Sequence, residues 1–148
     1  MNIKEQLLQA CYSYVNKRIA SYKYEIETIK ESIENNDKSN DEGDDSGNGK
    51  LFNDLELNSQ YLSDATKMLD VLNLINFKTV NDNVVLGSLV KTTSNNFFIA
   101  ISVGKIEIDG VSYLGISLNS PIGQLLKNKT VGESLSFNNN TFTISEIK

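Results

Sequence analysis

Two heptad-spaced apolar series in the first third of the chain dictate a coiled-coil helix. Tyr12, Ile19, Ile26 and Ile33 form one series, and Leu8, Val15, Tyr22 and Ile29 the other. Apolar side chains recurring every three to four residues make a narrow stripe that only another helix can bury well. A second stripe runs through Leu51, Leu55, Leu62, Ala65, Leu69 and Leu72, with Asn58 as its polar interruption. The two are separated by a Gly- and Asn-rich break at 43–49, which predicts an antiparallel hairpin within one chain. An intermolecular coiled coil is the competing reading. Helices of roughly 30 and 25 residues would reach about 45 and 38 Å at 1.5 Å per residue, too long for the core of a compact domain.

The turn of that hairpin carries the chain's surplus charge. Residues 34–49, ENNDKSNDEGDDSGNG, hold six acids and one lysine, and the rest of the chain carries thirteen of each sign, so the formal net charge of −5 belongs to this block. Such a block is ordinarily a solvated segment. Its place at the tip of an otherwise balanced hairpin raises a functional reading.

From Val80 onward the period shortens. Phe97-Phe98-Ile99-Ala100-Ile101-Ser102-Val103 reads as a strand, and Ile106–Ile108, Asp109-Gly110 and Val111–Tyr113 read as a hairpin whose Asp-Gly suits a type I′ turn. A last hairpin alternates Leu135 and Phe137 with serines, turns at Asn138-Asn139-Asn140 and resumes at Phe142 and Ile144. Between the two lies 120–132, SPIGQLLKNKTVG, with the chain's single proline. Ser120 can cap a short helix, Pro121 suits its first position, Leu125 and Leu126 would bury against the sheet, and Gly132 can turn the chain after Val131. The expected fold class is α+β: a helical hairpin over 1–77 with its acidic tip at 34–49, then a small, strongly bent antiparallel sheet domain with one short helix over 78–148.

Composition excludes several chemistries. The chain of 148 residues contains no histidine and one cysteine, Cys11, so histidine-dependent nucleophilic catalysis and an internal disulfide are both ruled out. A pI near 4.7 argues against wrapping a nucleic-acid backbone, and no independent DNA binding is expected. No apolar run approaches the roughly 20 residues that span a bilayer, so no membrane partner is expected and a cytoplasmic location is. Asn128-Lys129-Thr130 and Asn139-Asn140-Thr141 match a glycosylation pattern that has no meaning without secretion.

Other readings fail on spacing. Asp37, Ser39, Asp41 and Asp45 sit at EF-hand positions, but Glu42 stands where the loop needs Gly and Asn48 where it needs Glu. Gly49-Lys50-Leu51 ends like a phosphate-binding loop, yet Gly43 is one residue too far upstream and Leu51 replaces the hydroxyl residue. Phe97, Phe98, Tyr113, Phe137 and Phe142 could form a base-stacking platform or a prolyl-isomerase pocket. Their alternation with polar residues fits core packing better, and Lys91, Lys105, Lys127 and Lys129 are too sparse for a nucleic-acid channel.

A two-helix coiled coil followed by such a domain resembles the Gre transcription elongation factors. The resemblance covers most of the chain. It is most specific at Ile116-Ser117 and at Ser120, Pro121, Ile122, Gly123, Leu125, Leu126, Lys129, Val131 and Gly132, with Leu86-Gly87-Ser88-Leu89-Val90 as a similar strand entry. It implies an FKBP-like C-terminal domain that docks on RNA polymerase through Ser120, Pro121, Ile122 and Gly123, without implying isomerase activity. It also implies a hairpin that enters the polymerase's secondary channel and reaches the nascent RNA indirectly. Tip carboxylates, here Asp41, Glu42, Asp44 and Asp45, would act in trans on backtracked transcript through a magnesium ion shared with the polymerase, Asp44 foremost. No stably bound cofactor and no independent enzymatic activity are implied. The family's tip pairs Gly-Asp with Glu-Asn three residues on. Here Gly43-Asp44 keeps the first pair, Asn48 can match the last residue, and Gly47 stands where the Glu belongs. The hairpin is also shorter than that of typical cleavage factors. A non-cleaving regulator that occupies the channel is therefore the alternative.

Overall fold

The computed structural model describes residues 2–39 and 46–148, apart from the side chains of 37–39 and 46–47. Helix α1 spans Ile3–Ser39. Asn2 caps it, its side-chain oxygen accepting from the Lys4 N–H at 2.8 Å while its carbonyl takes the Gln6 N–H at 3.0 Å. Helix α2 spans Ser46–Asn73. Their antiparallel pairing is written in three contacts. The Tyr12 hydroxyl donates to Asn73 Oδ1 at 2.6 Å, the Tyr22 and Tyr61 rings lie 5.5 Å apart between centroids, and Asn36 Nδ2 donates to Asn48 Oδ1 at 3.2 Å. Each step up α1 is thus matched by a similar step back along α2.

Every position of the two predicted seams is buried or half-buried, Asn58 included. The Asn58 amide is satisfied locally, donating to the Asp54 carbonyl at 2.9 Å. Helical backbone runs further into the 34–49 block than the apolar period predicts, to Ser39 on one side and from Ser46 on the other. The Asn36–Asn48 bond ties the helices together there.

The chain divides into two compact units: Met1–Tyr14 with Asp70–Lys148, and Val15–Leu69. The first unit therefore contains the base of both helices together with the sheet. Leu7 and Cys11, which flank the heptad stripe, are fully buried there beside Leu8. A helix that packs into a sheet-containing unit buries a wider face than a two-helix seam requires. Lys4 is buried with them, and its ammonium donates to the Thr79 carbonyl at 2.7 Å. Loss of hydration holds its pKa below the ordinary lysine value.

Six strands follow: β1 Leu89–Thr92, β2 Asn96–Ile99, β3 Gly104–Ile108, β4 Val111–Ile116, β5 Ser134–Phe137 and β6 Asn140–Ile147, with helix α3 at Pro121–Leu126. Their order is β3-β4-β2-β1-β6-β5. Two tight turns match the sequence reading. Asp109 and Gly110 have φ of 51° and 80°, and Asn138 and Asn139 have 51° and 65°, the positive pairs of a type I′ turn. The α+β class stands, with one departure from antiparallel pairing. β2 and β4 pair in parallel, Phe97 opposite Leu114 and Ile99 opposite Ile116.

That departure has a local cause. The apolar run from Phe97 to Val103 leaves the ladder after Ile99 and crosses over β4 to reach the sheet edge as β3. Gly115 lies under the crossing, where a Cβ would meet Val103 Cγ2 at 2.5 Å and the Ile101 carbonyl at 3.2 Å. The crossing is pinned by the Ala100 N–H on the Ile116 carbonyl at 2.8 Å and by the Val103 N–H on the Gly115 carbonyl at 3.2 Å.

Candidate functional site

The segment 117–133 is built almost entirely by its own local chemistry. Ser120 caps α3, its hydroxyl accepting from the Gly123 N–H at 3.1 Å and donating to the Ser117 carbonyl at 2.7 Å, with Pro121 at the first helical position. Gly123 is buried where any Cβ would overlap the Ser117 carbonyl oxygen. The helix ends at once. Asn128 adopts φ of 64°, and the Asn128 N–H and Lys129 carbonyl each bond Val84 at 2.9 Å.

The turn beyond closes on itself in the same way. Thr130 donates its backbone N–H to Glu133 Oε2 at 2.6 Å, which with the Thr130 hydroxyl holds that carboxyl below its usual pKa. Gly132 supplies a φ of 93° and donates its N–H to Ile144 at 2.8 Å.

Of the four residues assigned to docking, Ser120 and Gly123 are thus needed for the turn itself. Pro121 is exposed and Ile122 half-buried. Leu126 is fully buried, but Leu125 is 40% exposed, which corrects the expectation that both leucines pack on the sheet. A helix of six residues has one inward stripe, and neighbouring residues on it point about 100° apart, so they cannot share that stripe. Leu125 joins Pro121 and Val131 among the exposed apolar residues of this segment.

Asp41, Glu42, Asp44 and Asp45 lie outside the described residues. Among the described residues no group of three His, Cys, Asp or Glu is placed to hold a metal ion. Gly49 and Lys50 are inside α2, which removes the loop a phosphate would need. Cys11 is fully buried, and burial pushes its thiol pKa up to about 12, so it is not a nucleophile.

One feature escaped sequence reading. A cleft of about 230 Å³ opens on the sheet, with Phe97 and Phe142 at its floor, Ile122 of α3 and Phe137 in its walls, and Ser94, Asn95, Asn138 and Asn140 at its margin. The two floor rings are tilted by 35° with centroids 5.9 Å apart. Phe98 and Tyr113 are buried elsewhere in the unit, so the five aromatics weighed together in sequence have two different environments. A turn signal marked Asn138-Asn139-Asn140, but the β1–β2 turn at Ser94 and Asn95 was not read from sequence, and no signal could show that the two turns border one apolar floor.

No family model and no curated protein matches the chain. Solved structures similar to it include two of one factor. A structure of the transcription factor Gfh1 has 18% identity and a TM-score of 0.38, over 92% of both chains. The crystal structure of GreA factor homolog 1 (Gfh1) of Thermus thermophilus has 19% identity and a TM-score of 0.35, over 93% of this chain and 94% of that one.

Proposed function

We propose that this chain is a Gre-type factor that docks on RNA polymerase through its sheet unit and presents the acidic tip of its hairpin to the secondary channel. One observation carries the reading: the motif on which the Gre resemblance is most specific folds as a single interlocked turn, Ser120 capping, Pro121 opening the helix, Gly123 seated against Ser117 and Leu126 buried. Residues that look like a motif by spacing also depend on one another physically, which a chance match would not require. The FKBP-like character of the domain and its polymerase partner belong to this proposal.

Between the two modes of action, Gly47 favours a regulator that occupies the channel without stimulating cleavage. A magnesium ion in a nucleic-acid enzyme is held by carboxylates and retains several waters. Asp44 alone would be a weaker ligand set than the Asp and Glu pair. Cleavage stimulation by Asp44 with Asp41, Glu42 or Asp45 remains the second reading. Pull-down with purified RNA polymerase, followed by transcript cleavage on stalled complexes, tests both. The expected result is binding without faster cleavage. Absence of binding removes both readings, and faster cleavage removes the first.

A further inference from the structure

We propose that the free edge of the sheet, strand β3, pairs antiparallel with the same strand of a second copy of this chain. β3 stands at one end of the strand order, with β4 on one side only. Opposed residues of an antiparallel pair alternate between exchanging hydrogen bonds and facing away from each other. Ile108 and Val111 close the two-residue turn as a bonded pair, so Ile106 bonds Tyr113, and the backbone groups of Lys105 and Glu107 point out of the sheet. Ser112 bears out this phase. It lies opposite Glu107, and its carbonyl turns away from β3 to accept from Asn96 Nδ2 at 3.3 Å. The outward N–H and C=O groups of Lys105 and Glu107 have no backbone partner among the described residues.

The sequence of the edge decides what fits it. Gly104-Lys105-Ile106-Glu107-Ile108 is complementary to itself when reversed about Ile106. In that register Lys105 of each copy lies opposite Glu107 of the other, Ile106 opposite Ile106, and Ile108 opposite Gly104. The outward backbone groups of Lys105 and Glu107 then all meet a partner. Both charged side chains are exposed on one face, where Lys105 Nζ lies 3.0 Å from Glu107 Oε1. Pairing two copies alternates these charges across the strands, and opposite charges directly across a strand pair stabilise it. On the other face Ile106 and Ile108 are half-buried. No heavy atom lies within 4 Å of where a Cβ on Gly104 would stand, so Ile108 of the second copy meets open space. A lone lysine on an edge strand discourages pairing. Glu107, on the same face, removes that obstacle for a strand presenting the same two charges in reverse order. The opposite edge, β5, carries no charge and offers no such selection. Two-fold symmetry uses the β3 edge of both copies, so the assembly closes at a dimer.

The interface is small, and the dimer is correspondingly weak. This proposal does not rest on the polymerase reading, and its test contains no polymerase. Sedimentation equilibrium of the full chain from about 10 μM to about 1 mM, the range of such weak contacts, should show the mass rise from 16.5 kDa toward twice that value. Over the same range, hydrogen exchange at the Lys105 and Glu107 amides should slow, while the Ile106 amide, already bonded to β4, should change little. Lys105→Glu and Glu107→Lys each place like charges opposite one another across the strands, and each alone should weaken association about tenfold or more. Both side chains are exposed, so neither change should alter the circular dichroism. An equimolar mixture of the two variants should restore association, because one presents only acids at these positions and the other only bases. A monomer throughout, growth beyond the dimer, unchanged exchange at Lys105 and Glu107, or a mixture that associates no better than its components would each overturn the proposal.

Discussion

Gly123 shows how little freedom the α3 turn leaves. A methyl group there must displace the Ser117 carbonyl, which is backbone and cannot rotate away. Gly123→Ala should therefore cost at least about 2 kcal/mol, read as a fall in urea midpoint. Leu125 and Leu126 separate exposure from packing at adjacent positions. Leu126→Ala should lose about 2–5 kcal/mol, and Leu125→Ala under about 1 kcal/mol. Equal losses would show that the helix is rotated from the orientation described. Cys11 gives a pH dependence. Its pKa in the fold is about 12 against 9.0 for a free thiol, so the unfolded chain releases its proton first. The thiol's contribution to stability is complete below pH 9 and lost as pH rises toward 12. Lys4 acts in the opposite sense, because its lowered pKa makes the charged form the costly one and the cost fades as pH rises toward 10.5. Cys11→Ala should remove the alkaline fall in Tm that Cys11 causes, and the native thiol should resist alkylation at pH 8 until the protein unfolds.

The helices were legible because an amphipathic period needs only one neighbour. Each seam position predicted from spacing is at least half-buried, and the second helix closes on the first. The two-residue turns were equally legible, since Asp109-Gly110 and Asn138-Asn139 are chosen by their own dihedral angles. Asn139→Val should cost about 1–3 kcal/mol, because a β-branched residue is strained at φ of 65°. Asn139→Gly should be close to neutral, and a large loss there would mean that the asparagine side chain, rather than its backbone, holds the turn. The limits of β2 were not legible. Ala100 and Ile101 are as buried as Phe98, so the apolar run continues past the point where the hydrogen-bonded ladder stops. Burial follows from proximity to the core, whereas strand pairing depends on which backbone lies alongside. Gly115 decides that by admitting the crossing chain.

In the intact protein the two candidate surfaces predict separable defects. Ile122→Asp should weaken polymerase binding in pull-down while circular dichroism stays native, and Asp44→Ala should leave binding intact. Should Asp44→Ala abolish binding, the tip would be a docking element and the assignment of docking to the sheet unit would fall. The acidic block, the coiled-coil period and the turn dipeptides are properties of residues that follow one another along a single stretch of chain, so the chain's order alone determines them. Which leucine of α3 is buried, why β2 runs parallel to β4, and how Asn95 and Asn140 come to border one cleft depend on segments brought together from distant parts of the chain. Local spacing sets the direction of each side chain from its own backbone. Only packing decides what stands in that direction.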